Sequence, residues 1–276
     1  MTSTGSHVSR SRFRKEDMRP ARLLLALIRR LVDIPSAVAW HQSPLADRNR
    51  ATLRLFHNLH TSQRCFLIAN GPSLAQMDLS PLKNEITLGM NRIYLHFPVM
   101  GFEPTYYVAT NELVISQFKD DIVSLKLPKF LNWNQRNVLP KESDISYIKL
   151  AFGFQDKFIG DILRPISGGG TVTFAALQVA FHMGFSEVVL IGLDHRFDTK
   201  GTPNLIERRV DLNDANHFHP DYFPKGVRWQ LPDLHRSELA YAKAREAFES
   251  VGRRILDATL NGACTVFEKV DYPTLF

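Results

Sequence analysis

Residues 65–74 read C-F-L-I-A-N-G-P-S-L, an apolar run that stops abruptly at Asn70-Gly71-Pro72-Ser73. The run has the length and composition of a buried strand. Gly71 lets the chain turn tightly without a Cβ clash, and Pro72 fixes φ and favours the start of a helix. Asn70 and Ser73 then stand at the carboxyl end of the strand, where open α/β sheets bind ligands. Amides exposed at a following helix N-terminus suit phosphate or another anion. The stretch is neither the dinucleotide fingerprint G-x-G-x-x-G nor a P-loop, which needs a lysine. It predicts a nucleotide pocket without fixing the nucleotide.

Working outward from it, strands are expected over residues 65–69, 86–90, 105–109, 129–132, 145–150, 187–192, 254–258 and 264–270. Helical segments are expected over 112–125, 172–183 and 234–251, with Gly184 in place to end the second of these. Residues 45–62 read as a helical linker, and 197–233 as a long polar loop. Strands alternating with helices predict one Rossmann-like, doubly wound, mostly parallel α/β sheet with no second core.

Four strand ends deliver polar clusters: Asn70/Ser73, Asn91/Arg92, Thr110/Asn111 and Asp194/His195/Arg196. A parallel sheet places these ends on one edge, which favours a shared ligand site over four separate turns. A second helix start follows Ser167-Gly168-Gly169-Gly170-Thr171. Capping needs only Ser167 or Thr171, so three glycines point to close approach of backbone to an anion. Arg196 has the charge to neutralise a leaving phosphate. Asp194 suits a ribose hydroxyl or, with Asp198, a divalent metal.

In the loop, N-H-F-H-P-D-Y-F (216–223) carries two histidines that face one way if the segment is extended. Histidine suits general-base work on a hydroxyl nucleophile, which ranks His217 first and His219 second. His41, His57, His60, His96, His182 and His235 show no partner pattern and read as structural or solvated. Trp229 fits packing beneath the loop as well as lining an acceptor site.

The chain has 276 residues, 44% hydrophobic and 22% charged, which is ordinary for a globular protein. Its net charge of +6 is uneven. Residues 1–64 hold 12 Lys/Arg against 4 Asp/Glu, a net +8, leaving about −2 on the remainder. A near-neutral body argues against nucleic-acid binding. Two cysteines make no disulfide framework, and a reducing, cytoplasmic setting is expected. Residues 1–20 are expected to be a disordered basic tail, 21–62 an amphipathic helical extension and 63–276 the nucleotide-binding domain. Within the extension, Leu24, Leu27, Ile28 and Leu31 share a helical face, and Arg22, Arg29 and Arg30 lie towards the other side or the edges. That face suits an anionic membrane surface through residues 21–34, or docking on the protein's own body. The location is then peripheral, on the inner face of the cytoplasmic membrane. A homo-oligomer is compatible with the pattern.

A-N-G-P-S-L, L-G-M-N-R-I-Y (88–94), Y-V-A-T-N (107–111), S-G-G-G-T and V-L-I-G-L-D-H jointly resemble the 6-hydroxymethylpterin diphosphokinase MptE-like domain family over about residues 55–276. The closing pattern, from N-H-F-x-P-D-Y-F to V-D-Y-P-T-L-F, resembles its bacterial cell-surface polysaccharide branch. The same order of motifs is similar to the family 42 sialyltransferases. That resemblance implies Asn70, Ser73, Asn91 and Asn111 on a cytidine nucleotide sugar, and Thr171 on its phosphate or sugar carboxylate. It also implies a base from the histidine-bearing loop. The chain differs where those enzymes hold the leaving phosphate with tyrosines, since His195 and Arg196 stand there. It differs again where their catalytic histidine lies, since the counterpart is near Asp221.

Three functions are expected from these readings. The first is transfer of an acidic sugar (sialic acid, nonulosonate or Kdo type) from a CMP-sugar to a glycan or lipid-linked acceptor, with no cofactor required. The second is pyrophosphoryl transfer from ATP with Mg²⁺ at Asp194 and Asp198. The third is non-catalytic nucleotide binding within a polysaccharide-assembly complex.

Overall fold

Apolar runs that do not alternate with polar residues become strands covered on both faces, as parallel sheets require. The computed structural model describes residues 20–140, 144–153, 155–198, 201–210 and 214–276. The basic tail expected over residues 1–20 falls outside these but for Pro20. The strands are β1 (Arg64–Ile68), β2 (Thr87–Met90), β3 (Tyr106–Ala109), β4 (Lys129–Asn132), β5 (Ile145–Ile148), β6 (Leu150–Ala151), β7 (Ile166–Ser167), β8 (Glu187–Ile191), β9 (Ile206–Arg208), β10 (Arg228–Gln230), β11 (Arg254–Asp257) and β12 (Glu268–Lys269). The helices are α1 (Pro20–Gln42), α2 (Pro44–Leu55), α3 (Phe97–Met100), α4 (Glu112–Gln117), α5 (Lys119–Ser124), α6 (Val172–His182) and α7 (Leu234–Glu249).

Eight strands form one sheet in the order β12-β11-β8-β1-β2-β3-β4-β5, and every pairing in it is parallel. The chain winds outward from β1 to β5, then returns to the other side of β1 with β8. This is the doubly wound arrangement, and its switch point lies between β1 and β8. Residues from β1, β2, β3, β4, β5, β8 and α6 share one hydrophobic core with Trp40 of α1 and Leu53 of α2. α6 is apolar almost all round, as a helix pressed between sheet and α7 must be. Gly184, at φ +91°, ends it as expected.

Local differences have identifiable causes. The helix expected over 112–125 divides at Phe118, whose backbone leaves helical geometry and whose ring lies 3.8 Å from the Arg92 guanidinium. Beyond α2, residues 56–62 are turns rather than helix. They cap α6 instead, with Asn58 N–H donating to the His182 carbonyl and His60 N–H to Met183. The strand expected over 145–150 breaks at Lys149, which turns to Asp33 and Asn134, and Leu150 starts the separate β6–β7 pair. Only Glu268 and Lys269 of 264–270 join the sheet; ahead of them Phe267 packs on Tyr241. Pro72 opens a short 3₁₀ turn (Pro72–Gln76) rather than an α-helix. The loop over 197–233 contains the antiparallel β9–β10 pair and buries Phe218, Tyr222, Phe223 and Trp229.

Candidate functional site

At the switch point the ends of β1 and β8 are clasped together. Gly71 N–H donates to the Gly192 carbonyl at 2.9 Å. Asp194 accepts the Ser73 hydroxyl at 2.7 Å and the Ser73 amide at 3.1 Å. A Cβ on Gly71 would stand 1.8 Å from Asp194 Oδ2, so the glycine is required by space rather than by φ. Burial raises the Asp194 carboxyl, against the opposing pull of the Ser73 bonds and the charge of Arg196.

One strand over, Ile68 pairs with Gly89, so Asn70 and Asn91, each two residues further on, lie side by side. Both carry a buried amide oxygen with no partner among the described residues. Buried polar atoms are nearly always bonded, so two neighbouring unpaired acceptors at strand ends make a candidate place for a donor-bearing ligand. Asn91 holds φ +47°, a conformation that asparagine tolerates better than most residues. Asn111 follows β3, but its side chain caps α4 by accepting the Leu113 and Val114 amides.

The long loop folds back onto these ends. Phe218 N–H donates to the Asn70 carbonyl at 3.1 Å, and Arg92 N–H to the Tyr222 hydroxyl at 3.3 Å. The buried Arg92 guanidinium donates to the carbonyls of Asp221, at 2.8 Å, and Tyr222. No carboxylate among the described residues pairs with it; aromatic faces of Phe118, Tyr94 and Tyr222 surround it instead.

This anchoring sets His217. Its Nδ1 lies 2.9 Å from Asp214 Oδ2, its ring stacks on Tyr222 at 3.9 Å, and its Nε2 has no partner among the described residues. Burial works to raise the Asp214 carboxyl, but the His217 hydrogen bond and charge, the Asn216 amide and Arg209 together carry it below the usual range. An ionised Asp214 can accept from Nδ1–H, and in the neutral ring Nε2 is then the acceptor, the form a general base needs. His219 is arranged otherwise. The segment turns instead of extending, and His219 Nδ1 accepts the Asp221 amide, so the two histidines have no partner in common.

The glycine turn forms a second edge. Gly169 and Gly170 hold φ +60° and +75°, and a Cβ on Gly169 would meet the Phe174 ring at 2.4 Å. Thr171 caps α6. Ser167 belongs to β7, its hydroxyl accepting the Lys157 amide, while a Cβ on Gly168 would find only the Leu150 side chain at 3.8 Å. The anion at this turn is the protein's own. Asp156 accepts Gly169 N–H at 3.1 Å and is bridged by Arg236 at 2.7 and 3.0 Å. Tyr241 joins the turn to the β8 end, donating to Thr171 Oγ1 at 3.4 Å and lying 5.9 Å from the His195 ring. His195, at φ +55°, bonds Glu238 at 3.1 Å.

The structure therefore gathers Asn70, Gly71, Ser73, Asn91 and Asp194 at adjoining strand ends, with His217 on the loop fastened to them. Arg196 is exposed, and its charge acts on the Asp194 carboxyl. Asp198 is exposed and meets Asn216 through its backbone, while Asp194 is engaged by Ser73. Among the described residues no group of three or more His, Cys, Asp or Glu side chains could hold a metal. Asp214, Arg92, Asp156 and Arg236 were not singled out from sequence as site residues with these roles. Arg92 stands in the strand-end cluster with Asn91, and Asp214 has a local signal in standing three residues before His217.

No family model matches the chain, so neither motif resemblance gains support there, and no curated protein matches it. A solved structure is similar: the MAf glycosyltransferase from Magnetospirillum magneticum AMB-1, with TM-score 0.50 and 13% identity. The alignment covers 83% of this chain and 39% of that one. At this identity the likeness is one of fold.

Proposed function

We propose that the protein is a glycosyltransferase that moves an acidic sugar of sialic acid, nonulosonate or Kdo type from a CMP-activated donor to a hydroxyl of a glycan or lipid-linked acceptor. The observation that carries this reading is the His217–Asp214 pair, positioned beside two strand ends with unpaired amide acceptors. In the proposed reaction Nε2 of His217 takes the acceptor hydroxyl proton, and the acceptor oxygen attacks the anomeric carbon. The bond from that carbon to the CMP phosphate oxygen breaks, CMP leaves with the electron pair, and the centre inverts. Asn70 and Asn91 accept hydrogen bonds from the nucleotide. Arg196, exposed in the segment that follows β8, meets the departing phosphate. The fold shared with a glycosyltransferase supports the class of reaction.

The test is a thermal-shift panel of CMP, CDP, UDP, GDP and ATP, each with and without Mg²⁺, followed by CMP release from CMP-sialic acid. Metal-independent stabilisation by CMP, weakened in Asn91→Ala, with CMP release lost in His217→Ala, is the expected result. Stabilisation by ATP and Mg²⁺ alone would replace this reading with pyrophosphoryl transfer. Nucleotide binding with no turnover would leave a non-catalytic partner in polysaccharide assembly.

A further inference from the structure

α1 docks by one side and leaves the other bare. Asp33 pairs with the buried Lys149 at 2.5 Å, and the Ser36 hydroxyl donates to Asn134 Oδ1 at 2.5 Å. The Ser36 carbonyl accepts Trp133 Nε1–H, and Trp40 meets Trp133 edge to face at 5.1 Å. Away from these contacts, Leu24, Leu27, Ile28, Leu31, Val32 and Ile34 are exposed, from 45% (Ile28) to 74% (Val32). At roughly 100° per residue these six fall within an arc of about 160°, centred about 180° from Asp33. α1 thus docks on the body, as one of the two expected arrangements has it, but among the described residues these six side chains stay exposed, with Ile34 at the edge of a cleft lined by Leu150, Phe152 and Pro165. Single exposed apolar residues are normal, but a continuous stripe marks an interaction surface.

Charge selects the occupant. Residues 1–34 hold eight Lys/Arg against three Asp/Glu, and the exposed Arg29 lies about 140° around α1 from the centre of the stripe, nearer to Asp33. One of the three, Asp33, is spent inward on Lys149. A second copy on the stripe would bring two basic segments together, whereas an anionic lipid surface neutralises them. No helix of the described residues is long and apolar enough to cross a membrane, so a helix of this kind lies in the interface. We propose that α1 seats the protein on anionic phospholipid, with the Leu24–Leu27–Leu31 stripe in the acyl boundary and the net positive charge of residues 1–34 drawn to the headgroups.

The seat has an orientation. α1 is fastened to Trp133 and Asn134, just past β4, and to Lys149, just past β5. Those are carboxyl ends of strands, the same edge that carries Asn70, Asn91 and His217. Lipid surface and crevice thus lie on one edge of the sheet, which suits an acceptor presented from a bilayer. Lipid docking itself stands independently of the transferase reading.

Sedimentation of the full chain with vesicles tests it, using phosphatidylcholine alone or mixed with phosphatidylglycerol. The wild type is expected to pellet with the anionic vesicles and at least roughly tenfold less with the neutral ones, with added salt weakening it. Leu27→Asp/Leu31→Asp is expected to abolish binding, and Arg29→Glu to weaken it, all at an unchanged melting temperature because these positions are exposed. A double variant that binds like wild type overturns the proposal, as does wild type left in the supernatant of both vesicle types. A concentration-dependent dimer by light scattering, lost in the double variant without any vesicle binding, would give the stripe to a second copy.

Discussion

A histidine becomes a directed base when something fixes which nitrogen carries the proton. In this chain that is Asp214, whose side chain is fully buried and 2.9 Å from His217 Nδ1. His217→Ala is expected to lower turnover by roughly 10²–10⁴-fold while keeping the nucleotide-induced melting shift. Asp214→Asn is expected to lose turnover for a different reason, the wrong tautomer, while keeping the ring in place. Asp214 also links stability to pH. Its folded pKa is depressed, so its charge contributes stability that is complete above the ordinary carboxylate range and lost as pH falls through the folded value. A melting-temperature profile that falls less steeply on the acid side in Asp214→Asn than in wild type would bear this out; parallel profiles would sink it. Gly71→Ala makes a separate demand on space. The new methyl meets Asp194 and the Gly192 carbonyl, a cost of about 1–3 kcal/mol by denaturant titration.

At the scale of elements, the loop around 214–223 is an ordered strap rather than a polar excursion. Arg92 is 129 and 130 residues from the carbonyls it holds, and such a pairing leaves no trace in local spacing. That separation explains what was legible. Strands announce themselves through contiguous apolar runs, and the strand-end asparagines follow from strand boundaries. Asp214, in D-A-N-H, reads as turn chemistry until the fold shows its oxygen under the histidine. Asn111 and Thr171, read as ligand contacts, have local capping work that spacing alone could not separate from binding. Arg92→Met is expected to leave two carbonyls unpaired and cost about 1–3 kcal/mol, mostly as local opening. Hydrogen exchange should then quicken across 214–223 while β1 and β8 stay protected; uniform change throughout would place Arg92 in the global core instead. Acid should open the same strap. His96 packs at 4.7 Å against Phe218, and burial, then the charge of His219, depress its pKa. Its stability contribution is therefore present above the ordinary histidine value and lost as pH falls below it.

For the whole molecule, the winding of one parallel sheet puts the site at β1 and β8 and makes the amino-terminal helices part of the same core. The sequence division into extension and domain follows charge, which tracks the surface; packing follows Trp40 and Leu53, which charge does not reveal. The joint between α1 and the sheet edge is the pair of half-buried Asp33 and buried Lys149, with Asn134 bonded to both partners. Two charges taken out of water gain little over a neutral pair, yet removing one strands the other. Lys149→Met is accordingly expected to destabilise by about 3–5 kcal/mol, and Asp33→Asn/Lys149→Met to recover most of that loss. Because the pair joins α1 to the ends of β4 and β5, the single variant should also lose hydrogen-exchange protection in α1 before the central strands do. A double variant no better than the single would mean that Lys149 serves mainly through its bonds to Ser36 and Asn134. Recovery in the double, with α1 protected again, identifies the ion pair as the hinge point on which the helix, and the crevice edge it reaches, are held together.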